Sequence, residues 1–302
     1  MDWFLLSIAS SMVISLVSVL DKRLLAVHFP SVRSFIFMLG TIWWFQGILI
    51  LTVVVLLSGM PHLGYMAVAC AAGAFIGWGL IFFFWGLTFE EVSRGLPIFG
   101  TSPLFAALLA VLFLSEELAG IQWVGILTVV LGAALLTFRP TPSRRGFIGG
   151  KGLGTFLTGA LFAGSALVLN KQASYGLSVW ALFACYALGV AFSFTISSVR
   201  PTLVHQLASV MRDREAIRLF LIAEVGLGPI AIGLLQMAIK LGPVSVIGAV
   251  LASRSLFVLI FSSLLSTRFW NLLNEPLDQQ TLVFKAFSAV LIVIGLVGLA
   301  VY

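Results

Sequence analysis

Read for hydropathy alone, the chain is a succession of apolar runs near 20 residues long, each bounded by charges, glycine or proline; "TIWWFQGILILTVVVLL" (41–57) is typical. A helix rises about 1.5 Å per residue, so roughly 20 residues cross a hydrocarbon core of about 30 Å. Each run therefore predicts a membrane-spanning helix. Ten are expected, over 3–22, 34–57, 65–88, 93–114, 120–138, 152–171, 178–199, 218–238, 244–265 and 282–301. Most linkers are tight, like "SGMPHLG" (58–64). Two are longer and basic, "RPTPSRRGFIGGKG" (139–152) and "RPTLVHQLASVMRDREAIR" (200–218). The first falls near mid-chain and divides it into units of 1–140 and 150–302.

Composition removes the soluble alternative. Only 9% of the residues are charged and 61% are hydrophobic, too little polar material to clothe a water-soluble fold. The net charge of +6 sits singly or in small groups in the linkers, where it orients the chain and meets anionic headgroups, so no nucleic acid is expected as partner. Cys70 and Cys185 lie within predicted helices and read as buried thiols. His28, His62 and His205 have no ligand-like spacing, and neither a phosphate loop nor a nucleophile motif is seen. No metal, cofactor or enzymatic activity is expected. The first run lacks a basic leader, having only Asp2 before it, and has a counterpart in the second half; it reads as a retained helix.

The halves repeat each other. The first helix of one contains "VLDKRLL" (19–25) and that of the other "VLNKQAS" (168–174), an offset of 149. "VSRGLPIFGTSPLF" (92–105) returns as "VSVIGAVLASRSLF" (244–257), an offset of 152. Each is followed by an acidic loop, "SEEL" (115–118) or "NEPL" (274–277), and a glycine-punctuated last helix. Five crossings per half is an odd number, so the second half starts from the opposite face. The expected fold is an all-α membrane protein of ten transmembrane helices in two inverted five-helix repeats, the architecture of many secondary transporters.

Those motifs, with "GLPIFGTSPLFAALLAVLFLSEEL" (95–118), "GILTVVLGAALL" (125–136) and "LIVIGLVGL" (291–299), resemble the drug/metabolite transporter superfamily, in particular its ten-helix EamA-type members. The resemblance implies a secondary transporter, often an exporter of amino acids, other metabolites or amphiphilic compounds. It also implies a cavity lined by the third, fourth, eighth and ninth helices. The second half departs from the first: its acidic loop is longer and carries Arg268 before Glu275, and Arg254 stands where the first half has Ser102.

Arg254 is the sharpest candidate. It lies about ten residues into its helix, roughly 15 Å deep, where an arginine costs about 2.5 kcal/mol or more. It reads as an anchor for a carboxylate or phosphate, or else as a member of a structural ion pair. Glu224 in "LFLIAEVGLGPIAIG" (219–233) is its candidate partner or a proton-linked switch. Trp78 and Trp85, seven apart on one face, read as packing or as binding surface, and Ser102 and Ser253 complete the substrate-facing set. Asp21–Lys22 and Asn170–Lys171 sit at helix ends, where lysines snorkel to headgroups or are fixed by the neighbouring acceptor at a gate. Pro97, Pro103 and Pro229 remove backbone donors and should kink their helices. Gly73 and Gly77 read as close helix contacts.

The expected function is export of a small organic metabolite or amphiphile across the plasma membrane, with the bilayer as environment and protons as candidate coupling ion. Flipping of a lipid-linked headgroup and a non-transporting membrane subunit are the alternatives. Basic residues cluster in linkers after odd-numbered helices, which puts both termini outside, whereas the resemblance implies the cytoplasm.

Overall fold

A computed structural model describes residues 2–90, 92–137, 150–198, 207, 210–266 and 279–300. Arg139, Arg144, Arg145, Arg200, Arg268 and Glu275 lie outside them. The described residues are helical, without strands. In chain order the elements are α1 (Asp2–Arg23, continued by a π-helical turn, Leu24–His28), α2 (Val32–Ser58), α3 (Leu63–Gly86), α4 (Val92–Phe99), α5 (Ser102–Leu114), α6 (Gly120–Thr137), α7 (Gly150–Ser174) and α8 (Val179–Ser198). Then come α9 (Arg214–Leu241, with a π-helical turn at Leu221–Leu227), α10 (Val244–Ala252), α11 (Arg254–Ser266) and α12 (Gln279–Ala300).

Eight helical stretches among the described residues are long and apolar enough to cross a membrane, including Gly95–Leu114 across α4 and α5 and Val244–Phe261 across α10 and α11. Gly120–Leu136 and Ala286–Ala300 are apolar but shorter. Local signals set several ends. Ser31 caps α2 by accepting from Ser34 N, and His62 caps α3 by accepting from Gly64 N. Asp213 caps α9 by accepting from the backbone of Glu215 and Ala216.

The expected fourth and ninth helices are not continuous: each is divided, into α4 and α5 and into α10 and α11. Lys171 falls in the last turn of α7, which ends at Ser174, and Lys22 in the last α-helical turn of α1, which continues through its π turn to His28.

Packing pairs elements of the first half with elements of the second. α1 lies along α9 and along α10 and α11; α7 lies along α3 and α5. α2 packs on α8, α6 on α12, and α5 on α10. Three crossings are made close by glycine. A Cβ at Gly189 in α8 would lie 1.9 Å from the Cys70 carbonyl oxygen, and one at Gly73 2.0 Å from that of Tyr186. Gly79 and Gly159 bring α3 onto α7, and Gly125 and Gly295 bring α6 onto α12. Without water between helices, such close van der Waals contact is what holds a bundle together in lipid. Gly189→Val should therefore push α3 from α8 at a cost of about 1–3 kcal/mol or more. Thermal unfolding in detergent would show a lowered midpoint; an unchanged one would mean that this crossing carries little of the stability.

Candidate functional site

The two helix breaks are built alike. In the first, Thr101 donates its backbone N–H to Ile98 O at 3.0 Å and its hydroxyl to the same oxygen at 2.7 Å, and Leu104 N donates to Thr101 O at 2.9 Å. In the second, Ser253 donates N–H and hydroxyl to Val250 O at 3.0 and 2.6 Å, and Leu256 N donates to Ser253 O at 2.9 Å. Each residue of the second set stands 152 positions after its counterpart. Pro97 and Pro103 flank the first break, but the second has no proline. The shared cause is a hydroxyl side chain that tightens one turn by bonding three residues back, competing with the regular ladder.

Ser102 and Arg254 are the first residues after these breaks. Ser102 is half-buried, its carbonyl facing Gly164 of α7. Arg254 is exposed, and among the described residues no side chain bonds or ion-pairs with its guanidinium. Its backbone is held instead: Ser15 of α1 donates its hydroxyl to Arg254 O at 2.9 Å. Ser11 donates to Val250 O at 3.2 Å and Ser10 to Ala231 O at 2.8 Å, so buried serines of α1 fasten the first half to both α9 and the α10–α11 break.

Glu224 does not meet Arg254. It sits in the π turn of α9, 6% exposed, with its carboxyl beside that of Asp21 on α1, whose Oδ1 is buried without a hydrogen-bond partner among the described residues. Gln46 of α2 donates to the Glu224 carbonyl at 2.8 Å. Pro229 follows this π turn, in the first turn of the helix that resumes at Gly228. Proline has no N–H to give, and a wide turn just before it re-registers the ladder around the missing donor. Two carboxyl groups side by side can bond to each other only through a shared proton, because two carboxylates have no donor between them.

The repeated lysines part company. Lys22 is exposed, as a headgroup-reaching lysine would be, whereas Lys171 is 8% exposed and turned inward. Its ammonium donates to Ile239 O at 2.7 Å and Gly242 O at 2.8 Å, capping the end of α9. Asn170 donates to Gln236 Oε1 at 2.9 Å, also on α9. The tryptophans stay apart from these groups: neither stacks on Arg254 among the described residues. Trp85 is 53% exposed beside Phe82 and Phe89, the setting of an interfacial aromatic, and Trp78 is half-buried.

At the same C-terminal end of α1 as Asp21, His28 Nδ1 lies 2.6 Å from Asp213 Oδ2, and Arg23 bonds Glu215 at 2.5 Å. The His28 contact, with two backbone N–H groups, holds the Asp213 carboxyl below the usual carboxylate range. Hydropathy and motif reading passed over Gln46, Gln236 and the α1 serines; the signal was present as polar residues on otherwise apolar helix faces. It also passed over the second helix break, which the alignment of Ser253 with Thr101 contained.

Residues 1–138 match the model of the EamA-like transporter family, part of the drug/metabolite transporter superfamily, so the resemblance read from the motifs holds for the first half. No curated protein matches the chain in sequence. Among the solved structures that do match is a crystal structure of a protein 15% identical, with a TM-score of 0.69, covering 99% of this chain and 97% of the other. At that identity the likeness shows the fold alone, and it extends over both halves.

Proposed function

We propose that the protein, whose first half matches the EamA-like transporter family, is a secondary transporter, working as an exporter, for a small organic metabolite or amphiphile bearing an anionic or zwitterionic group. The substrate passes between two inverted five-helix repeats in the plasma membrane. Arg254 carries the reading: a guanidinium beside a helix break, deep in an apolar stretch, has no protein acceptor among the described residues. An unpaired charge there is costly unless water or substrate answers it. Discontinuous helices whose half-helix N-termini face the path are a recurring way to receive an anionic group.

Helix pairing supports the repeat. α1 on α9 has its counterpart in α7 on α3, and α5 on α7 in α11 on α1, while α2–α8 and α6–α12 are each their own counterpart. Eight spans are long enough to cross, α4–α5 and α10–α11 each counting once, and ten crossings follow if the two shorter apolar helices also cross. The Asp21–Glu224 pair bridges the halves and is the place for a coupling proton.

Purified protein in liposomes, given labelled amino acids, carboxylates and amphiphiles one at a time, should move at least one anionic or zwitterionic solute. An imposed pH gradient should drive its accumulation. Movement of a labelled lipid headgroup between leaflets instead would mark a flippase, and movement of nothing across the panel would sink the reading.

A further inference from the structure

The "SEEL" loop and the buried Lys171 meet at one small structure, the turn between α9 and α10. Pro243, at the N-cap position of α10, supplies no side-chain cap. The first N–H groups of α10 are served instead from the other half of the molecule. Glu116 accepts from Val244 N at 2.7 Å, from Ser245 N at 3.1 Å and from the Ser245 hydroxyl at 2.5 Å. Ser115, just before it, closes α5 in the left-handed conformation at φ 53°, and this aims the carboxylate away from its own helix. The rest of the turn belongs to the second half. Lys171 of α7 grips the Ile239 and Gly242 carbonyls, and Lys240 donates to Leu177 O at 2.6 Å.

We propose that Glu116 is a gate latch: it shuts the pathway at the end of the bundle carrying the α5–α6 and α9–α10 turns, and its release lets that end open. This rests on the transport reading for its purpose but not for its test. The turn moves with the second half because Lys171 and Lys240 tie it to α7 and its flank. Glu116 moves with the first half. Among the described residues Glu116 hydrogen-bonds only to helix N-terminal donors, strongly because the acceptor is charged and the helix end favours negative charge, and the Lys171 ammonium attracts it from the same side. It is also only half-buried, so water can replace both sides of it when the halves part. A latch needs both properties. A cap supplied 128 positions away, across the repeat boundary, is otherwise a poor way to start a helix.

The test uses spin labels on the full-length protein in lipid, at cysteines replacing exposed Glu117 and Leu241, with Cys70→Ala and Cys185→Ala removing the native thiols. Glu116→Gln keeps the size but points an amide NH2 at backbone donors, so the measured distances should shift to longer values. Ser245→Ala removes one of the three donors and should shift them less, in the same direction; it decides the matter if Glu116→Gln fails to fold. Identical distributions in the labelled parent and in both variants would overturn the latch. Bridging Glu116→Cys to Ser245→Cys with a short bifunctional thiol reagent should also stop transport, and unimpaired transport by the bridged protein would equally overturn it. The distance measurement needs no substrate, so a protein that moves nothing in liposomes counts against the transport reading alone.

Discussion

Arg254→Ala should abolish transport of an anionic or zwitterionic substrate by a protein that still folds. The side chain is exposed and without a partner among the described residues, so removing it breaks no internal bond; Ser15 grips the Arg254 carbonyl, which alanine keeps. Stability should change little. Binding should change a great deal, because a hydrogen bond to a charged group is worth about 1.5–3 kcal/mol, or roughly 10- to 150-fold in affinity. Arg254→Lys keeps the charge but loses the two-pronged fork, and should weaken binding by less than alanine does. Concentration-dependent uptake in liposomes, with thermal unfolding as the control for folding, separates the three proteins. Wild-type uptake by folded Arg254→Ala would remove this residue from the mechanism. It would leave only the fold-level statement.

How much of this was legible in the sequence differs from element to element. Long apolar runs are forced by the hydrocarbon, so most helices stand within a few residues of where hydropathy places them; α2 is expected over 34–57 and spans Val32–Ser58. Hydropathy does not register a break of one turn, since Thr101 and Ser253 are mild residues in strongly apolar surroundings. Prolines were the visible signal and marked one break of the two. Gly73 and Gly77 do make close contacts, because an apolar helix has few other reasons to carry small residues on one face. The polar groups were found but not paired. Which acceptor Lys171 reaches is a matter of helix crossing, and a lysine one turn from a helix end reads the same whether it points out to lipid or inward to α9. The Glu224–Arg254 partnership failed for the same reason: both are charges within apolar runs that follow one another in the chain, and only packing shows that α9 turns Glu224 toward α1.

The placement of Glu224 sets the second large effect, a loss of coupling to the proton gradient in Glu224→Gln. Asp21 comes from the first half and Glu224 from the second, and their carboxyls can hydrogen bond only while one of them holds a proton. On the proposed mechanism, parting of the halves separates the two carboxyls and lets each meet water, which would free the proton and tie its release to the conformational step. A glutamine at 224 carries a permanent N–H donor and keeps the bond to Asp21 without a proton. Wild-type protein should accumulate substrate against its gradient when a pH gradient is imposed, whereas Glu224→Gln should only equilibrate it. Asp21→Asn should behave in the same way. Gln46→Leu serves as the comparison: its amide touches the Glu224 backbone carbonyl and not the carboxyl, so the variant should stay coupled even if its stability falls. Accumulation ratios in pH-jumped liposomes read all four proteins. Pronounced accumulation by well-folded Glu224→Gln would show that the energy of transport enters somewhere other than this carboxyl pair.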